Sequence, residues 1–114
     1  MIYQYLDGNG NKYVVKRGIP HNIEYIPIKP LMSSSGLYNG GNLVKKELSE
    51  MHYNEIISLI NEALKNKRNH IEKRVKMSGM IIINEEHNET TCILAPHSPE
   101  INQIEKLLQE ILNI

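Results

Sequence analysis

Ile2-Tyr3-Gln4-Tyr5-Leu6-Asp7-Gly8-Asn9-Gly10-Asn11-Lys12-Tyr13-Val14-Val15-Lys16-Arg17 is the stretch that decides the fold. Two short runs rich in aromatic and β-branched residues flank a cluster of Asp, Gly and Asn. Gly and Asn accept positive φ, so the cluster predicts a hairpin turn between strands at Ile2–Leu6 and Lys12–Arg17. Moving outward, Asn22–Ile28 reads as a third extended segment. Pro27 cannot donate to a ladder, so this strand is expected to lie at a sheet edge, and Pro30 ends it.

The next periodic stretch changes character. Tyr53, Ile56, Ile57, Ile60, Ala63 and Leu64 recur at helical spacing and predict a helix from about Ser49 to Lys67. Ser49 suits an N-cap, and Lys65, Lys67 and Arg68 suit the C-terminal dipole. Residues 69–78 leave coil and strand open. Met80–Asn84 and Thr90–Ala95 read as strands joined by the polar turn Glu85–Glu89. Ser98-Pro99-Glu100 starts a second helix, with Ile101, Ile104, Leu107, Leu108 and Ile111 as its apolar stripe.

The expected architecture is a single α+β domain over 1–114, ordered βββ-α-ββ-α. An antiparallel or mixed sheet of about five strands carries two helices on one face, leaving the other face wet or open to a partner. A chain of 114 residues can bury a core without disulfides. That core must be aliphatic: there are 17 Ile and 11 Leu, no Trp and no Phe, and six Tyr whose hydroxyls need partners. Richness in Ile, Asn and Lys suggests an AT-rich coding sequence of bacterial type. One cysteine, Cys92, excludes an intrachain disulfide and fits a reducing compartment. The start lacks a basic n-region and a long apolar h-region, so the expected location is cytoplasmic and no membrane contact is expected.

Formal net charge is zero, which argues against a dedicated nucleic-acid binder. The charge is unevenly spread. Residues 65–76 carry six basic and one acidic side chain, and residues 77–114 carry one basic and six acidic. Lys65, Lys67, Arg68, Lys73, Arg74 and Lys76 could meet an anionic partner, or simply form a solvated face.

Between the third strand and the first helix lies Ser33-Ser34-Ser35-Gly36-Leu37-Tyr38-Asn39-Gly40-Gly41. Such a loop is a connection or a binding surface, with Ser33, Ser34, Ser35, Gly36, Tyr38, Gly40 and Gly41 as its candidate contact residues. Its glycines match neither phosphate-binding pattern. His87, Cys92 and His97 are spaced too widely along a strand for one metal, so no metal and no cofactor is expected. No nucleophile elbow surrounds any serine or the cysteine.

The leading expectation is a small interaction module. It uses the Ser/Gly loop and the adjacent sheet face to meet another protein, or self-associates through a sheet edge. Nucleic-acid or anion binding through 65–76, with Lys73 and Arg74 as contacts, is the second reading. An enzyme site assembled from the loop with His21 or His52 is the third.

Overall fold

The computed structural model describes residues 1–28 and 41–114. Its elements are β1 (Ile2–Leu6), β2 (Lys12–Lys16), β3 (His21–Ile26), β4 (Val44–Leu48), α1 (Glu50–Lys65), a 3-10 turn (Lys67–Asn69), β5 (His70–Ile71), β6 (Gly79–Glu85), β7 (Asn88–Leu94) and α2 (Pro99–Leu112). The described strands form one sheet of seven, ordered β4-β3-β2-β1-β6-β7-β5, and every neighbouring pair is antiparallel.

The α+β class and the two helices agree with the sequence reading. The strand count and order do not: the chain runs ββββ-α-βββ-α. Two strands are not legible in the sequence. Val44-Lys45-Lys46-Glu47-Leu48 hides its apolar ends around three charges, because only one side of this edge strand is paired. His70–Ile71 is too short to show any period. The expected edge is also corrected. β3 is interior, paired on one side with β2 and on the other with β4. Pro27 does not force an edge because the strand ends at Ile26, one residue before it.

The β1–β2 turn is built by Asp7. Its Oδ1 accepts the backbone N–H groups of Asn9 and Asn11, both at 2.9 Å, and its Oδ2 accepts Asn11 Nδ2 at 3.0 Å. Gly10 completes the turn at φ +90°, where a side chain would be strained. α1 is capped by Ser49 Oγ, which accepts His52 N–H at 3.1 Å. In α2, Pro99 takes a first-turn position and Asn113 closes the helix in the left-handed region at φ 60°.

One sheet face carries the core. Tyr3, Tyr5, Tyr13, Val15, Ile23, Tyr25, Ile81, Cys92 and Leu94 pack against Tyr53, Ile56, Ile60 and Ala63 of α1 and Ile101, Ile104, Leu108 and Leu112 of α2. Two-residue periodicity in the strands meets the helical stripes, so apolar area leaves water on both sides of the interface. Gly79 lets β6 pass close to this core, since a Cβ there would meet Tyr5 Oη at 2.7 Å. On the opposite face, Ile71, Ile93, Met80, Leu6, Lys12 and Ile26 align across six strands. Neither helix covers that row.

Candidate functional site

The two sheet edges are formed differently. β4 pairs with β3 over its whole length, and Lys45, Lys46 and Glu47 on it are exposed. β5 pairs with β7 only through His70↔Leu94 and Ile71↔Ile93. The rest of β7, Asn88 to Cys92, pairs with β6 on one side and has no described strand on the other. In an antiparallel strand alternate residues direct N–H and C=O to each side, so this segment presents a backbone row that no strand among the described residues pairs.

Residues 88–91 are exposed and Cys92 is buried. A groove of about 660 Å³ runs beside this edge, lined by Leu64, Ile71, Thr90, Thr91, Cys92 and Ile93 among others. Burial pushes the Cys92 thiol up, which makes it a small apolar wall rather than a nucleophile.

β5 stops where it does because a polar knot holds its approach. Glu100, buried in the first turn of α2, accepts Asn66 Nδ2 at 2.6 Å and Asn69 Nδ2 at 2.8 Å. Asn69 C=O in turn accepts Ala95 N–H at 2.7 Å. Burial alone would raise the Glu100 carboxyl. The bonds from Asn66 and Asn69 and the nearby His70 outweigh it and hold the group below its ordinary value.

A second concave region runs along α2, between that helix and the β1–β2 turn, from Asn102 near the helix start to Ile114 beyond its end. It has a volume of about 420 Å³. Register places Tyr5, Tyr13 and Tyr25 side by side across β1, β2 and β3, with ring centroids 6.0 and 5.0 Å apart. Tyr5 Oη donates to Glu105 Oε2 at 2.5 Å. Burial, and then that bond, pushes the Tyr5 hydroxyl far above its ordinary value. Glu105 is also pushed up, by burial first and by the nearby Asp7 charge, while the Tyr5 bond pulls the other way.

Of the residues singled out in the sequence, Ser33, Ser34, Ser35, Gly36, Tyr38 and Gly40 lie outside the described residues. Gly41 is exposed ahead of β4 at φ 103°. Lys73 is exposed. Arg74 is a structural tie: its guanidinium donates to Ser78 C=O at 2.8 Å and Asp7 C=O at 2.9 Å, joining the 75–78 turn to the first hairpin.

His21 is likewise engaged on both ring nitrogens. Nδ1 accepts Gly18 N–H at 2.9 Å, which leaves Nε2 as the donor to Glu50 at 2.5 Å, and the ring stacks on Tyr53 at 4.1 Å. A histidine so held has no nitrogen left for proton transfer to a substrate. His52 lies half-buried in the first turn of α1. His87 sits in the β6–β7 turn and His97 beyond β7, with Cys92 buried between them. Among the described residues no group of three His, Cys, Asp or Glu could hold a metal ion. No helix among them is long and apolar enough to cross a membrane.

Sequence reasoning misses the β7 edge, Glu100 and the Glu105 cleft. Thr90 and Thr91 read as ordinary strand, since openness on one side leaves no sequence signal. Glu105 follows Ile104 on the border of an apolar stripe, where a carboxylate normally reads as solvated. No protein-family model, curated protein or solved structure matches this chain.

Proposed function

We propose that this chain is a small protein-interaction module that takes an extended segment of a partner protein as an additional strand against β7. The observation that carries this reading is the short reach of β5, which covers Ile93 and Leu94 and leaves the side of Asn88–Cys92 away from β6 without a strand among the described residues. An added strand of about five residues would run roughly 16 Å along the edge, gaining main-chain hydrogen bonds. Its alternate side chains would enter the groove, where Leu64, Ile71 and Cys92 offer apolar contacts beside the polar His70 and Glu72. β5 marks one end of the site and so sets the register.

The test is selection of peptides from a random display library, followed by amide hydrogen exchange on the complex. Selected peptides should slow exchange at alternate residues of 88–92 and should lose binding when Pro replaces the outward-facing threonine. Peptides that protect other segments, or that bind the proline variant equally well, would sink the proposal. A free protein that is already a dimer with this edge protected would identify the occupant as a second copy.

The exposed cations Lys65, Lys67, Arg68, Lys73 and Lys76 support a second reading, binding of an anionic polymer. Two observations work against it: the formal net charge is zero, and Arg74 is already engaged by two carbonyls. That reading requires affinity for mixed oligonucleotides that falls steeply with salt, and a flat response removes it.

A further inference from the structure

We propose that His21 is a proton-operated latch for the β2–β3 turn, residues 17–20. The proposal goes beyond strand addition and uses no residue of β7.

The latch is defined by which ring nitrogen carries a proton. The Gly18 backbone N–H can only donate, so Nδ1 of His21, 2.9 Å away, must be bare to accept it. The one proton of the neutral ring then sits on Nε2, which donates to Glu50 Oε2. A second proton has only Nδ1 to go to. It turns the contact with Gly18 into two N–H groups facing each other, and one side must give way.

The ring is the better-held side. Its side chain is only 10% exposed, and it stacks on Tyr53 with centroids 4.1 Å apart and planes 13° from parallel. Both contacts improve when the ring is charged: Glu50 gains a counter-charge, and an aromatic face attracts a cation. His21 is also fixed in the sheet by pairing with Leu48 of β4. The turn is the loosely held side. Residues 17–20 are exposed, so a Gly18 N–H that leaves Nδ1 is taken up by water at little cost.

The surrounding charges divide by element. Glu50 on α1 and Glu47 on β4 favour the charged ring, and both line a groove beside His21. The exposed Lys46 of β4 and the N-terminal amine of Met1, whose carbonyl accepts Arg17 N–H at 3.4 Å, oppose it. Arg17 carries the like charge on the turn itself, so its repulsion adds to the push on Gly18. Gly18, Ile19 and Pro20 form one wall of that groove, of about 560 Å³, with Glu47–Glu50 as the other. Ile19 is fully exposed. Release of the turn therefore reshapes the groove and moves an exposed apolar side chain relative to the start of α1.

The experiment follows the full chain, labelled with ¹⁵N, from about pH 8 down to about pH 5, the range over which imidazole changes charge. At the upper end, the ring nitrogens should show the proton on Nε2. On acidification the Gly18 amide should shift with the same midpoint as the His21 ring. Its hydrogen exchange, relative to the intrinsic rate at each pH, should accelerate at least about fivefold, the equivalent of one lost hydrogen bond. Glu50→Gln keeps an acceptor for Nε2 but removes the charge, and should move both midpoints down together. His21→Asn places an amide oxygen where Nδ1 stands, an acceptor that no proton removes in this range, and should abolish the response of Gly18. If that variant does not fold, Glu50→Gln decides alone. A proton on Nδ1 at the upper end, a Gly18 amide indifferent to the His21 titration, or a Gly18 midpoint that stays put while that of His21 moves would overturn the proposal.

Discussion

The two edges of the sheet show two ways of ending a row of unpaired backbone groups. β4 meets solvent with Lys45, Lys46 and Glu47 in succession, so any strand approaching it must desolvate charge. β7 is instead covered by a separate two-residue strand, and only over Ile93 and Leu94. Charge protects an edge along its whole length, whereas a short covering strand protects only what it touches. The uncovered part of β7 carries Thr90 and Thr91, which add no charge and favour extended backbone.

The largest expected effect comes from cutting the knot that places β5. Glu100→Ala removes a buried carboxylate that accepts charge-assisted hydrogen bonds from the half-buried Asn69 and the exposed Asn66, and should cost about 2–4 kcal/mol in chemical denaturation. Exchange at the Ala95 amide, bonded to Asn69, should accelerate with it. The pH dependence has a definite sign. The folded-state value of Glu100 is lowered, so its contribution is present above the unfolded glutamate range and is lost as pH falls through the lowered value. Glu100→Gln should flatten that acid limb. An unchanged acid limb would mean the knot does not hold the covering strand in place.

Next in size is the contrast between Thr90→Pro and Thr91→Pro. One of these N–H groups points to β6 and the other away from it, because ladder direction alternates. The inward proline should destabilise the fold by about 2 kcal/mol or more relative to the outward one. Equal losses at the two positions would show that the edge is not open on one side.

A smaller effect on stability, but a clear one on association, is expected at the opposite edge. Lys45→Ile with Lys46→Ile should change unfolding free energy by no more than about 1 kcal/mol. Concentration-dependent self-association through this edge should then appear in sedimentation velocity, beyond any shown by the parent chain. If the double variant associates no more than the parent, charge is not what guards β4.

Glu105→Gln is the control that touches neither edge, and its stability change should stay within about 1 kcal/mol at neutral pH. Its pH signature runs opposite to that of Glu100. Glu105 has its folded-state value raised above 4.5, so the folded state binds the proton more readily. Ionising Glu105 therefore costs stability as pH rises from the ordinary glutamate range through the raised value, and the glutamine variant should lose that decline. Thermal melts of both variants across that range would show whether the two carboxyls behave as opposites.

Much of this fold is legible in local sequence. The Asp7–Asn11 turn, the Tyr53–Ala63 and Ile101–Leu108 stripes, and the Ser98-Pro99 helix start are short-range patterns, and each element appears where they place it. The candidate site is less legible. The prolines of the Asn22–Ile28 segment point to an edge there. Among the described residues the edges lie on β4, whose charges mask its strand, and on the part of β7 that β5 does not reach, which looks like any other strand. Arg74 reads as one member of a basic run, yet it ties two turns together.

By itself, then, the sequence determined the hairpin chemistry, the two amphipathic helices and the α+β class, because each depends on residues within a few positions of one another. Only the tertiary structure decided which strand lies beside which. Insertion of β1 between β2 and β6, and the halt of β5 after two residues, depend on contacts between distant parts of the chain. The tyrosine row and its meeting with Glu105, 100 positions from Tyr5, depend on the same long-range pairing. Register and edge exposure are properties of neighbours in space, and local periodicity carries no record of them.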